Sequence, residues 1–278
     1  MGSLDLDTRL SGADGVYQAT LSPDWQIWGP NGGYVAAIAL RAAGLASRFR
    51  RPASFTCHFL GVGAFAPADV RVVPQRSART AESLRVTLAQ NERAFLEAQV
   101  WTVDDSRGME HDFARMPTVA APDALAPFEE LEGPARRPGF PFWQNLEGRP
   151  TAWVPREQWQ PGEPAGCTWY RYRPESRFSD PFVDAARALL LIDTLSWPAA
   201  CRAHREEDNP WMAPSLDVAV RFHRPAPSSE WLLVEARADV ATDGLIGFHN
   251  RVWSEDGRLV ASGGGMLLCR PRPEPRPA

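Results

Sequence analysis

The sequence contains no lysine; all 30 of its basic side chains are arginine. That absence excludes Schiff-base and pyridoxal-phosphate chemistry, which need a lysine amine, and the phosphate loop that ends in lysine. Arginine still binds phosphates through its planar fork, and a GC-rich genome is a sufficient explanation of the bias. Cysteine is scarce. Cys57, Cys167, Cys201 and Cys269 lie far apart without a C-x-x-C pair, which argues against a disulfide framework or a zinc site. Five scattered histidines offer no metal-ligand spacing. No G-x-S-x-G elbow is present, so a serine-hydrolase nucleophile is not expected. The first residues lack the basic and apolar regions of a signal peptide, and no apolar run approaches the roughly 20 residues of a membrane span. A soluble, cytoplasmic chain is expected. A net charge of −4 without a clustered basic surface argues against a nucleic-acid partner.

What is present is a plan written twice. The chain has 278 residues, 44% of them hydrophobic, enough for one large domain or two ordinary ones. Residues 31–103 and 180–269 each open with a helix-like apolar stretch, Asn31 to Ala43 and Pro181 to Asp193, and then run through four strand-like segments. In the first half the strands are expected at 54–60, 70–73, 83–89 and 94–103; in the second, at 215–223, 230–238, 245–254 and 259–269, with 168–173 ahead of the helix. Asp180 and Pro181 make a cap and first-turn pair for the second helix. Short turns between strands favour antiparallel pairing. Each half is therefore read as α+β, one helix against a sheet of about five antiparallel strands, and the halves could pair edge to edge. Residues 104–166 are rich in proline, from Pro117 to Pro164 and including Pro134 and Pro138. They read as a linker with short ordered pieces, whose Phe140, Phe142, Trp143, Trp153 and Trp159 are too apolar for a free tail and are expected to pack along the protein surface or cover part of a groove. The expected organisation is 1–103, a linker over 104–166, and 167–278.

Several residues invite a chemical reading. Asp193 stands in the apolar run Leu189 to Leu195, where an unpaired charge would be costly, so it needs a partner or a function. Ser215 follows Pro214 at a strand start and could bond locally or orient a water. Gly32 and Gly33 open a helix, whose free amides can hold an anion or an oxyanion, or merely permit a tight turn. Tyr34 follows them. His58 lies on a strand, where packing is the commoner fate of histidine. Asn250 is a possible amide donor on a later strand. Arg48 to Arg51, at the end of the first helix, complement the helix dipole or contact a phosphorylated ligand.

A helix wrapped by an antiparallel sheet is the hotdog arrangement, and a tandem copy is a double hotdog. Trp28 to Ala37 (W-G-P-N-G-G-Y-V-A-A) resembles the helix entry of the acyl-CoA thioesterase II-like (TesB-like) family, and Ser54 to Leu60 resembles its first central strand. Ser215 to Pro225, ending F-H-R-P, then Trp231 to Leu233 and Asp256 to Ser262, match family elements in order and spacing. The resemblance covers most of the chain outside 104–166. It implies hydrolysis of acyl-CoA, or of another acyl-carrier thioester, by a water that an Asp, a Ser or Thr and a Gln activate. Asp193 and Ser215 match the first two positions; the glutamine position falls on Gly265. Gly32, Gly33, Tyr34 and His58 stand beside these as the candidate oxyanion and substrate-binding residues. Coenzyme A enters as part of the substrate, with no further cofactor or metal, in fatty acid metabolism and with homo-oligomerisation possible. The alternatives are an acyl-thioester binding protein without hydrolysis and, behind it, a double-hotdog hydratase or dehydratase.

Overall fold

The structure, a computed structural model, describes residues 1–105, 107–133, 139–204 and 210–272. Pro134 and Pro138 lie outside the described residues. In chain order the first half comprises α1 (Leu4–Asp7), β1 (Ser11–Ala13), β2 (Val16–Thr20), α2 (Gly32–Ala46), β3 (Arg51–Phe59), β4 (Pro67–Ser77), β5 (Ala81–Gln90) and β6 (Arg93–Val103). Then follow α3 (Phe128–Glu132), β7 (Leu146–Pro150), β8 (Ala165–Tyr172), α4 (Pro181–Thr194) and α5 (Ser196–Cys201). The chain ends with β9 (Trp211–Met212), β10 (Asp217–Phe222), β11 (Trp231–Thr242), β12 (Leu245–Ser254), β13 (Leu259–Leu268) and β14 (Arg270–Pro271).

Twelve strands form one antiparallel sheet in the order β1-β2-β4-β5-β6-β3-β10-β13-β12-β11-β8-β7. Six strands come from each half, and the halves meet at β3 and β10, with Val218 opposite Cys57 and Val220 opposite Phe55. The pairing removes two edges that would otherwise offer unpaired amides. Alternation along the strands sends Phe55, Cys57, Val218 and Val220 to a dry inner face. The long helices α2 and α4 fill that face and pack on each other. Both are buried almost all round, which is why they read as apolar runs rather than as amphipathic stripes. This is the α+β double hotdog that the repeat implied, with the two halves joined into one sheet.

One feature departs from the expected plan. Residues 146–150, inside the stretch read as a linker, form strand β7 against β8. Gly148 and Pro150 hid it, since both are poor strand residues. The strand is at the sheet edge, where a proline costs no ladder bond, and at Gly148 a Cβ would lie 2.7 Å from the Phe128 ring. Residues 114–125 run over the outer face of the second half. Ala114, Met116, Val119 and Leu125 cover a cluster of Trp169, Trp231, Leu233 and Trp253, and Trp169 Nε1 donates to the Ala120 carbonyl at 3.0 Å. The linker aromatics differ in fate: Phe142 is fully buried against Trp25, whereas Phe140 is exposed.

Candidate active site

The two helices pack antiparallel, so the start of α2 meets the end of α4, and glycine allows the approach. Asn31 caps α2 by accepting the Tyr34 amide at 2.9 Å, while its own amide donates to Thr194 Oγ1 at 3.1 Å. This bond ties the start of α2 to the end of α4. A Cβ at Gly33 would lie 2.7 Å from the Leu190 Cα, and one at Gly32 would lie 2.9 Å from Asp193 Oδ2 and 3.1 Å from the Phe59 ring. Larger residues would push the helices apart.

Asp193, one residue from the end of α4, is buried at this junction. Ser215 Oγ donates to Asp193 Oδ1 at 2.7 Å, and the Gly33 amide donates to the same carboxylate. Ser215 sits just before β10, held by a bridge to Leu267 of β13. Burial pushes the Asp193 carboxyl up to about 6, against the opposing pull of the Ser215 and Gly33 hydrogen bonds. The result is a carboxylate with an activated-base character at neutral pH, oriented by two fixed donors. Asp193, Ser215, Gly32 and Gly33, distant in sequence, are thus brought together.

The other candidates are not part of this constellation. Tyr34 is fully buried and turned toward the first half: its hydroxyl donates to the Asp7 carbonyl at 2.7 Å and accepts the Ser22 amide at 3.1 Å, and its ring stacks on Trp25. A side chain so anchored has no reach to Asp193. His58 is exposed and alternates with the inward Cys57, so it takes the opposite face of β3. Asn250 is buried, but its amide donates to the Ile192 carbonyl at 2.6 Å and its oxygen accepts the Arg237 amide at 3.1 Å. It fastens α4 to the sheet beside Asp193. It stands opposite Gly263, whereas Gly265 stands opposite Phe248.

At Gly265 a Cβ would lie 2.2 Å from the Asp217 carbonyl oxygen and 2.8 Å from its carboxylate. Gly263 and Gly264 have comparable close approaches, to the carbonyls of Ala219 and Phe248. The glycine triplet therefore lets β13 lie closer to its neighbours than side chains would permit. Asp217 Oδ1 also accepts the Met266 amide at 3.2 Å.

Some residues near the junction were not among the candidates for chemistry that the sequence offered. Cys57 is buried below it, and burial, with Asp193 and Asp217 nearby, pushes its thiol well above the usual range. It is no thiolate nucleophile. Trp28 and Trp197, on either side of the junction in sequence, meet edge to face at 6.1 Å. Each is adjacent in sequence to a recognised element, Trp28 to the glycine pair and Trp197 to Asp193, and that proximity was the available clue.

Comparison with known families bears on the chain as a whole. The family model of the acyl-CoA thioesterase N-terminal domain matches residues 21–103, and that of the C-terminal domain matches residues 122–264. Human acyl-coenzyme A thioesterase 8 is 27% identical over 181 residues, 60% of this chain. The match spans 56% of that relative, a little over half its length. Among solved structures, an acyl-CoA thioesterase II of Mycobacterium marinum superposes with a TM-score of 0.79 at 22% identity, covering 97% of this chain and 99% of the other. A hotdog-fold protein of Alicyclobacillus acidocaldarius gives 0.77 at 21% identity, covering 98% and 100%. At these identities the two structures speak to the fold.

Proposed function

The chain belongs to the acyl-CoA thioesterase family, and we propose that it hydrolyses acyl-CoA, or another acyl-carrier thioester, with a water activated by Asp193. The observation that carries this reading is the convergence of the Ser215 hydroxyl, at 2.7 Å, and the Gly33 amide on a buried carboxylate. Asp193 accepts a proton from water as its oxygen bonds to the thioester carbonyl carbon. The tetrahedral intermediate then breaks its carbon–sulfur bond, and the proton passes to the departing thiolate. The products are a carboxylic acid and a free thiol. Ser215 fixes the carboxylate and the water rather than attacking. The Gly33 amide is already given to Asp193, so the neighbouring Gly32 amide, one of the helix-start donors without an intrahelical acceptor, is the donor for the oxyanion.

Apolar side chains beside the junction fit an acyl chain. Trp28, Leu60, Val62 and Leu216 are exposed. Val62 abuts Gly29 next to Trp28, and the Leu216 carbonyl accepts the Phe59 amide at 2.9 Å. An exposed apolar grouping of this kind beside a polar centre favours an amphiphilic ligand.

A second reading, acyl-thioester binding without hydrolysis, draws on Gly265. The family's glutamine position has no side chain here, and the backbone around it leaves no room for one. Thiol release from a panel of acyl-CoA chain lengths, measured beside Asp193→Asn, separates the two. Turnover by the parent that Asp193→Asn abolishes supports hydrolysis through this carboxylate. Saturable binding with no turnover on any chain length gives the binding reading. Turnover that Asp193→Asn leaves unchanged keeps the reaction and removes Asp193 as base.

A further inference from the structure

A cavity of about 460 Å³ lies at the far ends of the same two helices, between the first turn of α4 and the segment that follows α2. The position is not arbitrary. Six strands flank the β3–β10 seam on each side, so the fold carries an approximate twofold relation that exchanges α2 with α4. It also exchanges their caps, Asn31 and Asp180. Asp193 is the thirteenth residue after its cap, and Gly44 is the thirteenth after Asn31. Gly33 and Phe182 are each the second residue after their caps. The near-contact of Gly33 with α4 has its counterpart at the other end, where a Cβ at Gly44 would lie 2.5 Å from the Phe182 ring. The fold therefore builds the same helix junction twice. One junction carries a carboxylate; the other carries a glycine covered by an aromatic ring, and the cavity lies beside it.

The lining of this second junction is cationic with an apolar floor. Arg48, Arg50, Arg51 and Arg224 line it, against Asp104, Asp105 and Asp184. Asp184 is consumed by the buried Arg187 and by the Ala226 amide. Asp105 lies 3.4 Å from Arg51, leaving Asp104 as the carboxylate at the rim without a side-chain partner among the described residues. Arg48 and Arg224 reach carboxylates outside the lining, Glu82 and Asp112. Arg50 is exposed, and its side chain has no partner among the described residues. Phe49 and Val260, both buried, form the floor.

We propose that this cavity binds a phosphate-bearing ligand, as a second, non-catalytic copy of the helix-junction site. Guanidinium forks match phosphate geometry, the free Arg50 supplies an uncommitted one, and the volume is that of a small-molecule site. Catalysis is absent there because the symmetry-related carboxylate is Gly44. The phosphate can come from the nucleotide end of the thioester held at Asp193, since nine helical residues from Asp184 to Asp193 span only about 14 Å. It can equally come from a separate nucleotide.

The test is equilibrium binding of adenosine 3′,5′-bisphosphate, beside inorganic phosphate, to the full chain. The parent and Asp193→Asn are expected to bind the nucleotide alike. Arg50→Glu and Arg224→Ala are expected to weaken it about tenfold or more, the effect of losing one charge-assisted contact, with thermal unfolding unchanged. Equal binding by Arg50→Glu, or no saturable binding of either probe by the parent at millimolar concentration, overturns the proposal. The source follows from steady-state kinetics with acyl-CoA and acyl-pantetheine, which lacks the nucleotide. A KM raised by Arg50→Glu for acyl-CoA alone assigns the site to the substrate's own nucleotide. Unchanged KM values with lost nucleotide binding assign it to a separate ligand. Because the binding measurement needs no turnover, failure of hydrolysis and failure of this site are distinguishable.

Discussion

At Asp193 two demands oppose each other. As the proposed base, Asp193 must be ionised near neutrality, and burial penalises that ionised form. Its carboxyl titrates near 6 rather than at its ordinary 3.8. On this account kcat/KM falls about tenfold per pH unit below pH ~6 as the free enzyme's base is protonated. A pH–rate profile flat from pH 5 to pH 8 (roughly the span around the shifted value) would reject Asp193 as base. Stability follows the opposite sense. A raised pKa favours the folded state below 3.8, and that advantage is lost as pH rises to about 6. Asp193→Asn should therefore reduce turnover by about 10²–10⁴-fold yet unfold at a higher temperature than the parent at pH 8, a gain that shrinks toward pH 4. Calorimetry across pH checks this. Gly32→Ala places a methyl group 2.9 Å from Asp193 Oδ2, so it should lower kcat with a smaller effect on ligand binding, read by single-turnover kinetics. Gly265→Gln should not restore a family-like amide. Its Cβ would lie 2.2 Å from the Asp217 carbonyl, and overpacking of this kind costs about 1–3 kcal/mol. Denaturant unfolding with parallel assays tests both parts; a stable, more active variant would contradict the geometry.

At the scale of elements, α4 is held by more than its apolar faces. Arg187 is fully buried and donates to Asp184 and to the carbonyls of Ser176, Ser229 and Ala226, while Tyr172 donates to the Arg187 carbonyl at 2.8 Å. Replacing Arg187 by Leu strands the Asp184 charge and several carbonyls, so a loss of about 3–5 kcal/mol is expected in urea unfolding. Helix, cap and strand periodicities were legible in the sequence because they are local. Asp193 was legible too, because a lone carboxylate in Leu189 to Leu195 is conspicuous without any structure. Tyr34 and His58 lie apart from the Asp193–Ser215 junction for the same physical reason: sequence gives proximity to a motif but not which face a side chain takes. Tyr34 turned toward Asp7 and Ser22, and His58 to the outer side of β3. Strand β7 was hidden by Gly148 and Pro150, which an edge position tolerates. The arginine-lined cavity brings Arg50 and Arg224 into one lining across the β3–β10 seam, a proximity no linear pattern records.

At the scale of the whole molecule, neither half is self-sufficient. Residues 1–103 alone would expose the β3 edge and the face of α2 that packs on α4. That fragment should dimerise or aggregate, as sedimentation or size exclusion would show; a stable monomer with cooperative unfolding would mean the seam contributes little. No helix among the described residues is long and apolar enough to cross a membrane.

The covalent joining of the halves has a further consequence. In a dimer of identical chains every substitution is made twice, once at each symmetry-related position, so a site cannot change without its twin. With both copies in one chain, positions 44 and 193 answer to separate codons. One junction can then keep its carboxylate while the other gives up catalysis and drifts toward recognition, and neither change taxes the other.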